Sequence, residues 1–510
     1  MIPVSQAWKN TQYRFLLPET FVEISCTVTE IGALDDAVAS GTTEEIFSDV
    51  GSIPGTSGEQ STKYYATLEP NLWALDGTRN ILEDSAPYAN TGYVSNIAQG
   101  GSVTLKLPEV HTVPIPGVSI TWSSEYDEYP HVFTVTAKNG NTVVAETTVT
   151  DNTSNKSLVY MEIANYDSIT VTIHNWNMPD HRSRVDSLKL GLDLTFTKQE
   201  ILSYTHEQRG SIVTGELPKN AIEFSIDNRD NRWNPSNPTG LERYLSERQK
   251  LTVRYGLDIG GTTEWIKAGT FYLSEWRAPS NGMEATFAAR DMLEYMLNEV
   301  YTGITSGTLL DIANAAVAQA NLPAGEIVFF SPVLDNYSIT LPAGDHKIAE
   351  ILQMCANAAC CVFFQDRSGV LRIEPYTLEL SEYLISSALS YSYPEIELSK
   401  ALKSVSVEYS SGDTSEKYNL EVAASGETQT VSNPMINTEG HAFVVAEWVK
   451  ENLVSRKTIS GEYRADPRLD LFDAVTVESK FGPVSPVVIT DIKYQFNGSF
   501  RGSYTGRIMA

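Results

Sequence analysis

Lys250 to Arg290 reads KLTVRYGLDIGGTTEWIKAGTFYLSEWRAPSNGMEATFAAR, and Ala474 to Arg507 reads AVTVESKFGPVSPVVITDIKYQFNGSFRGSYTGR. Each stretch opens on a strand of the form x-apolar-Thr-Val and turns at a glycine. Each then runs a longer strand (Thr270 to Trp276; Ile489 to Phe496), turns again at a glycine and ends on a strand closed by a basic residue. Leu251, Val253 and Tyr255 alternate with Thr252 and Arg254, and Ile492, Tyr494 and Phe496 alternate with Lys493 and Gln495. A period of two is the mark of a half-buried antiparallel strand. The two stretches therefore read as copies of one small β-barrel, one in each half of the C-terminal region.

At 510 residues the chain exceeds what one core can organise, and three to five domains are expected. Hydrophobic residues at 42% and aromatics at 10% are those of an ordered protein, and 25 tyrosines among many Thr, Ser and Val favour sheet. The net charge of −27 argues against nucleic-acid binding, which needs Lys or Arg to neutralise phosphates. Four cysteines form no C-x-x-C pair; Cys355, Cys360 and Cys361 cluster at one helix end and Cys26 lies in a strand, so buried free thiols in a reducing compartment are expected. The start, MIPVSQAWKN, lacks the basic-then-apolar pattern of an export signal, and no apolar run reaches the roughly 18 residues of a membrane span. Synthesis in a cytoplasm without export is the expectation.

The expected fold class is mainly β and multidomain α+β. Residues 1–30 supply the first strand of barrel 1, Phe21 to Thr29 (FVEISCTVT), and 31–65 are a polar linker. Residues 66–198 read as an inserted β-sandwich, with strand-like runs at Ser102–Leu107, Gly117–Trp122, His131–Ala137, Thr142–Val149, Val159–Ile163 and Ser168–Ile173. Met178 to Leu194 leads out of it, and Arg182 and Arg184 read as a solvated turn. Residues 199–300 hold barrel 1, with a short helix at Gly240–Glu247. The cluster Asp227, Asn228, Asp230 and Asn231 lacks the spacing and terminal Glu of a calcium loop and reads as a hydrogen-bonded turn. Residues 301–395 form a small α/β domain, with a helix at Thr308–Asn321, a second helix capped by Asp345 and a hairpin turning at Asp366–Gly369. Residues 396–510 form barrel 2, starting with a strand at Leu402–Tyr409 and containing a helix at Glu439–Ser455.

Within the insertion, LEPNLWALDGTRNIL (Leu68 to Leu82), GVSITWSSEYDEYPHVFTVTAKNG (Gly117 to Gly140) and MEIANYDSITVTIHNW (Met161 to Trp176) resemble the galactose-binding-like jelly roll, a frequent carbohydrate-binding module. Three further stretches resemble the hub proteins of phage tail tips and baseplates. They are FSIDNRDNRWNPSNPTGLERYLSERQKLTVRYG (Phe224 to Gly256), TLLDIANAAVAQANL with ITLPAGDHKIAEILQMCANAACCVFFQDRSGVLRIEP (Thr308 to Pro375), and NPMIN followed by a helix and ADPRLDLFDAVTVES (Asn433 to Ser479). WKNTQYRF, Trp8 to Phe15, also fits the start of such proteins. The resemblance implies a virion structural protein, a homotrimer in which two tube-type barrels per chain make a pseudo-hexameric ring. Such a ring adapts a six-fold tail tube to a three-fold central spike or fibre. The partners it implies are further copies of the chain, the tail tube or distal tail protein, the tape-measure protein and the spike or fibre. DNA would pass an acidic wall without being bound. The insertion, residues 31–198, departs from the simplest pattern of the family; an outer-rim position is expected for it, with neighbouring tail proteins or a host surface glycan as what it contacts.

No catalytic site is expected. His111, His131, His174, His181, His206, His346 and His441 are scattered and form no metal spacing. Asp180, His181 and Ser183 are too close in sequence to make a triad, and neither a G-x-S-x-G elbow nor a phosphate-binding G-x-x-x-x-G-K-[ST] loop is present. Some tail-tip proteins carry a peptidoglycan hydrolase beyond the hub, and none is expected here. Neither a cofactor nor a metal is expected. The alternative class is a carbohydrate-binding adhesion protein using aromatics of the sandwich: Trp73, Tyr88, Tyr93, Trp122, Tyr126, Tyr129 and Trp176. Trp122 and Trp176 lie in alternating strands and are expected in the core. The loop Tyr126, Asp127, Glu128, Tyr129 is the expected glycan contact.

Overall fold

The computed structural model describes residues 1–14, 19–28, 37–41, 65–66, 81–82, 93–98, 100–123, 127–179, 181–213, 216–279, 283–323, 325–341, 344–411 and 414–509. The chain divides into two compact units, Met1–Ile24 with Phe196–Asn234 and Lys250–Ala510, and Ser25–Thr195 with Pro235–Gln249. It is mainly β and multidomain.

The first unit is built on one continuous sheet. Its strands in chain order are β1 (Thr20–Val28), β2 (Ile201–Arg209), β3 (Lys219–Asp227), β4 (Lys250–Asp258), β5 (Thr263–Arg277) and β6 (Glu284–Arg290), then β7 (Leu380–Ile385), β8 (Glu395–Leu398), β9 (Lys457–Tyr463), β10 (Ala474–Ser479), β11 (Gly482–Phe496) and β12 (Phe500–Ile508). Leu192–Phe196 lies on the outer side of β1, and from β1 the order across the sheet is β1-β4-β5-β6-β3-β2 and then β11-β12-β9-β8, with β10 on β11 and β7 on β10. With Leu192–Phe196 set aside, the halves are β1-β4-β5-β6-β3-β2 and β7-β10-β11-β12-β9-β8, the same order of six strands twice.

The duplication extends to register. In β5, Tyr272 faces Arg290 and Leu273 faces Ala289; one residue, Ser274, is skipped, and Glu275 faces Ala288. In β11, Val488 faces Arg507 and Ile489 faces Gly506; Thr490 is skipped, and Asp491 faces Thr505. Such a bulge adds one unpaired residue and locally increases twist, so its recurrence at the same step marks two copies of one design. Beyond it, Arg290 faces Ala221 of β3 and Arg507 faces Thr458 of β9. The outermost strands match too: Ala221 faces Glu207 of β2, and Thr458 faces Glu397 of β8. β1 and β7 share only their place in the order; β7 runs parallel to β10.

Among the described residues four α-helices belong to this unit. An N-terminal helix, α1 (Gln6–Gln12), begins at Ser5, whose hydroxyl accepts from the Trp8 amide, and it buries Trp8 completely. α2 (Leu309–Ala320) starts in a capping box between Thr308 and Asp311 and buries Leu309, Ile312, Ala313 and Ala316 on one face. α3 (Ile348–Ala358) is capped by Lys347 and Glu350; the expected cap, Asp345, lies outside the helix, because Glu350 reaches back to the Lys347 amide at 2.9 Å. α4 spans Glu439–Leu453 behind Thr438. The helix expected at Gly240–Glu247, in the second unit, is only a 3-10 turn, Glu242–Tyr244. The strand expected to open barrel 2 is Leu402–Ser411, but it pairs with Thr414–Glu421 and Glu427–Ser432 in a separate three-stranded sheet. Its Val405 and Val407 share one core with α2, α3 and α4, so burial on the helices outweighs strand-to-strand continuity. Cys355 and Cys361 are buried in this core and Cys360 half-buried, and burial pushes the Cys360 and Cys361 thiols up to about 12, so they pack as small hydrophobes.

The second unit is a sandwich. One sheet runs Val38–Gly41, Gly101–His111, Tyr166–Ile173, Phe133–Asn139, Thr142–Val149; the other runs Lys156–Ile163, Ile115–Thr121, Ser187–Leu190. Val103, Val135 and Val171 of the first and Val118, Ile120 and Leu188 of the second fill one core. Trp122 packs edge-on against Phe133 at 5.0 Å and Trp176 at 6.2 Å; both tryptophans are buried, as their alternating strands implied. Gly117, at φ +153, sits where an added Cβ would lie 1.9 Å from the Val159 carbonyl oxygen, so only glycine lets these strands approach.

Leu352→Ala, which empties a fully buried site on α3, is expected to lower stability by about 2–5 kcal/mol. Leu380→Ala, at a site 55% exposed, is expected to change it by less than about 0.5 kcal/mol. Denaturant midpoints of the two variants measure the contrast.

Candidate assembly interface

The two sheet copies meet where β2 lies antiparallel to β11, from Tyr204 opposite Phe496 to Arg209 opposite Asp491. β2 alternates. Tyr204, His206 and Gln208 point inward and are buried, while Thr205, Glu207 and Arg209 point outward. The inward face is polar, which an isolated strand would not tolerate without partners.

Those partners come from both copies. Asn220 Oδ1 accepts from His206 Nε2 at 2.8 Å, and the Tyr255 hydroxyl donates to His206 Nδ1 at 2.7 Å. That hydroxyl in turn accepts from Tyr204 at 2.9 Å. This chain of donors requires a neutral imidazole. Burial, with Arg367 next, holds His206 down from its ordinary 6.5 to about 4. The Tyr255 ring packs edge-on against Tyr494 at 5.9 Å and Phe500 at 4.9 Å, so aromatic rings of the two copies share one core.

Arg367, on the hairpin turn of the small α/β region, reaches into the same space and is 3% exposed. Its guanidinium donates to the Pro467 and Leu469 carbonyls, and lies 3.4 Å from Gln208 Oε1, from the Tyr494 hydroxyl and from Asp470 Oδ1. Gln208 Nε2 also donates to Asp470 at 2.9 Å. Burial works against the charge on Arg367, but Asp470 and the Tyr494 and Tyr255 hydroxyls more than offset it, and its pKa is raised. One side chain thus joins the small region, β2 and β11.

The outward face is an ion network. Glu207 accepts from Lys219 at 2.5 Å and from Lys493 at 2.7 Å, and Arg209 holds Asp491 at 2.6 Å. The two lysines pull Glu207 down to about 2. These residues line a groove of about 620 Å³ that extends over β12, β9 and β8. The N-terminal segment adds a second tie: Ile2 donates to the Arg468 carbonyl, Gln12 to the Ala465 carbonyl, and Ser5 to Glu264 on β5.

The sequence-predicted glycan loop lies in the second unit. Tyr126 falls outside the described residues, as do Trp73 and Tyr88. Asp127 is exposed, with φ 53, and Tyr129 is half-buried beside His131. Glu128 is 3% exposed; its carboxylate accepts from Trp176 Nε1 and His181 Nδ1, each at 2.7 Å, with Arg184 at 3.9 Å. A buried carboxylate needs such partners, and Glu128 spends its oxygens on them. Arg184, expected in a solvated turn, is 2% exposed for the same reason. The Asp227–Asn231 turn is closed by the Arg229 and Arg232 amides on Asp227 and Asp230 and by the Trp233 amide on Asn228.

No family model matches the chain, and neither does any curated protein at the level searched. Solved structures similar to it include a tail protein from Neisseria meningitidis MC58, 12% identical over 62% of this chain and 93% of that one, with a TM-score of 0.42. The 43 kDa tail protein of prophage MuSo2 from Shewanella oneidensis is 12% identical over 62% and 96%, with a TM-score of 0.44. Prophage tail protein gp18 from Listeria monocytogenes is 10% identical over 62% and 91%, with a TM-score of 0.39. Likeness at this level carries no functional weight by itself.

Two outcomes test the interface. A depressed histidine contributes stability above its unfolded value of 6.5 that is lost as pH falls toward about 4. His206 is therefore expected to contribute about 3 kcal/mol of acid sensitivity in that window, and His206→Asn to flatten the slope in urea melts taken from pH 7 to 4. Arg367→Leu removes the counter-ion of Asp470 and the side-chain donor to the Pro467 carbonyl, and is expected to lower stability by about 3–5 kcal/mol in the same assay.

Proposed function

We propose that the chain is a structural protein of a phage-type tail, the hub of a tail tip or baseplate, and that it works as a homotrimeric ring. The observation that carries this reading is the register-matched duplication joined edge to edge by β2 and β11. A chain with two equivalent sheets contributes two equivalent surfaces, so three chains present six on one side and three on the other. That is the geometry needed between a six-fold tail tube, or a distal tail protein on it, and a three-fold spike or fibre. The polar junction, closed by buried hydrogen bonds, suits a part that must keep its shape under load. The net charge of −27 suits a wall past which DNA and the tape-measure protein slide without adhering. The reading is of a structural part rather than an enzyme, located in the virion and made in the host cytoplasm. The insertion between the first strand and the rest of barrel 1 is assigned to contacts with other tail proteins. A host glycan is disfavoured as its ligand, since Trp122, Trp176 and Glu128 are used inside the sandwich.

Light scattering on the purified chain, followed by electron-microscope class averages, tests the proposal. A mass of three times 56.2 kDa and a ring of six lobes are expected. A ring of another order, or failure to form one either alone or on isolated tails, would overturn it.

A further inference from the structure

The internal junction is a template for the contact between chains. On β11, strand β10 occupies one side as far as Val488, and β2 takes the same side from Asp491 onward. On β5, strand β4 occupies the corresponding side as far as Tyr272, but β5 runs on to Arg277. Among the described residues no strand takes the place there that β2 takes on β11. At the other end of the sheet, β8 is the match of β2, and it pairs with β9 alone. All four of its residues are exposed, with Ile396 at 44% and Leu398 at 62%. An exposed edge carrying apolar residues invites another strand. One copy therefore ends in a strand without its acceptor, and the other in an acceptor without its strand.

We propose, on the ring reading above, that β8 of one chain pairs antiparallel with the Glu275–Arg277 segment of β5 in a second copy of this chain. The matched registers fix the pairing. Glu397 stands for Glu207, and Arg277 for Lys493, two positions beyond the shared bulge pair Glu275 and Asp491. Glu207 is held between Lys219 of its own half and Lys493 of the other. Lys219 faces Arg209, and the corresponding residue of β9's lead-in is Arg456, whose carbonyl accepts from the Ser399 amide at 2.9 Å. Glu397 is thus placed between its own Arg456 and Arg277 of a second copy, repeating the same acid between two bases. Arg277 is 78% exposed and stands 3.7 Å from Glu223, free to turn to a better acid. Ile396 and Leu398 take the inward places of His206 and Gln208, which are 0% and 2% exposed where the junction already exists. The chain-to-chain contact is therefore drier than the internal one and lacks a counterpart of its histidine. Each chain donates at one end and accepts at the other, a head-to-tail contact that closes a ring when the step repeats.

The test uses the full chain carrying both Glu397→Cys and Arg277→Cys. The native thiols are buried or half-buried and leave little background. Oxidation is expected to yield covalent chain-to-chain products on a non-reducing gel, while Glu395→Cys with Arg277→Cys, two residues out of register, yields none. Glu397→Arg, at an exposed position, is expected to weaken assembly by about tenfold or more with an unchanged thermal melt. Rings that persist in Glu397→Arg without cross-linking of the cysteine pair would overturn this pairing and leave the ring intact. Failure of the unaltered chain to assemble, alone or on tails, would overturn both.

Discussion

The buried guanidinium of Arg367 is the constraint on which the first unit depends. It comes from a turn between two short strands, yet its hydrogen bonds end on the loop before β10, on β2 and on β11. A charge held at 3% exposure is tolerated here because two carbonyls accept from its NH groups and the Asp470 carboxylate stands beside it. The position of the small region is thereby coupled to the pairing of the two sheet copies. If β2 slipped by one residue on β11, Gln208 would turn outward, and Arg367 and Asp470 would lose it together.

Around that point the junction is divided by side. Inward, rings and hydroxyls of Tyr204, His206, Tyr255 and Tyr494 exclude water and set register through directional bonds. Outward, Glu207, Lys219, Lys493, Arg209 and Asp491 sit at or near solvent, where each pair adds little and the network chiefly disfavours wrong pairings. The bulges at Ser274 and Thr490 complete the device. By bending the long strand, a bulge lets its first half pair with one neighbour and its second half with another. Only one copy uses that second half within the chain.

Much of this was legible in local pattern. The alternation in Lys250–Arg290 and Ala474–Arg507 gave both meanders, their shared basic ending and the idea of duplication. Thr308 before a stripe of Leu309, Ile312 and Ala316 gave α2 to within a residue. Trp122 and Trp176 were legible as core from their strands. The polar residues His206 and Gln208, on the inward side of an otherwise alternating strand, are the local signal of a buried network, but their partners Asn220, Tyr255 and Asp470 lie far along the chain or on other strands. Glu128 and Arg184 were misjudged because short polar stretches look alike in sequence whether their charges meet water or each other.

The sequence by itself determined which side chains each strand and helix turns inward, because that follows from periods of 2 and 3.6 along a local segment. It also determined the two-fold repetition. Only the tertiary structure decided which strands are neighbours. Lys493 and Glu207 are separated by 286 positions, and Leu402–Ser411 belongs to the helical core rather than to the second sheet copy. Pairing is chosen by what a strand's two edges and two faces meet in space, and by whether buried polar atoms such as those of Arg367 find acceptors there. Neither condition is written in any single stretch of the chain.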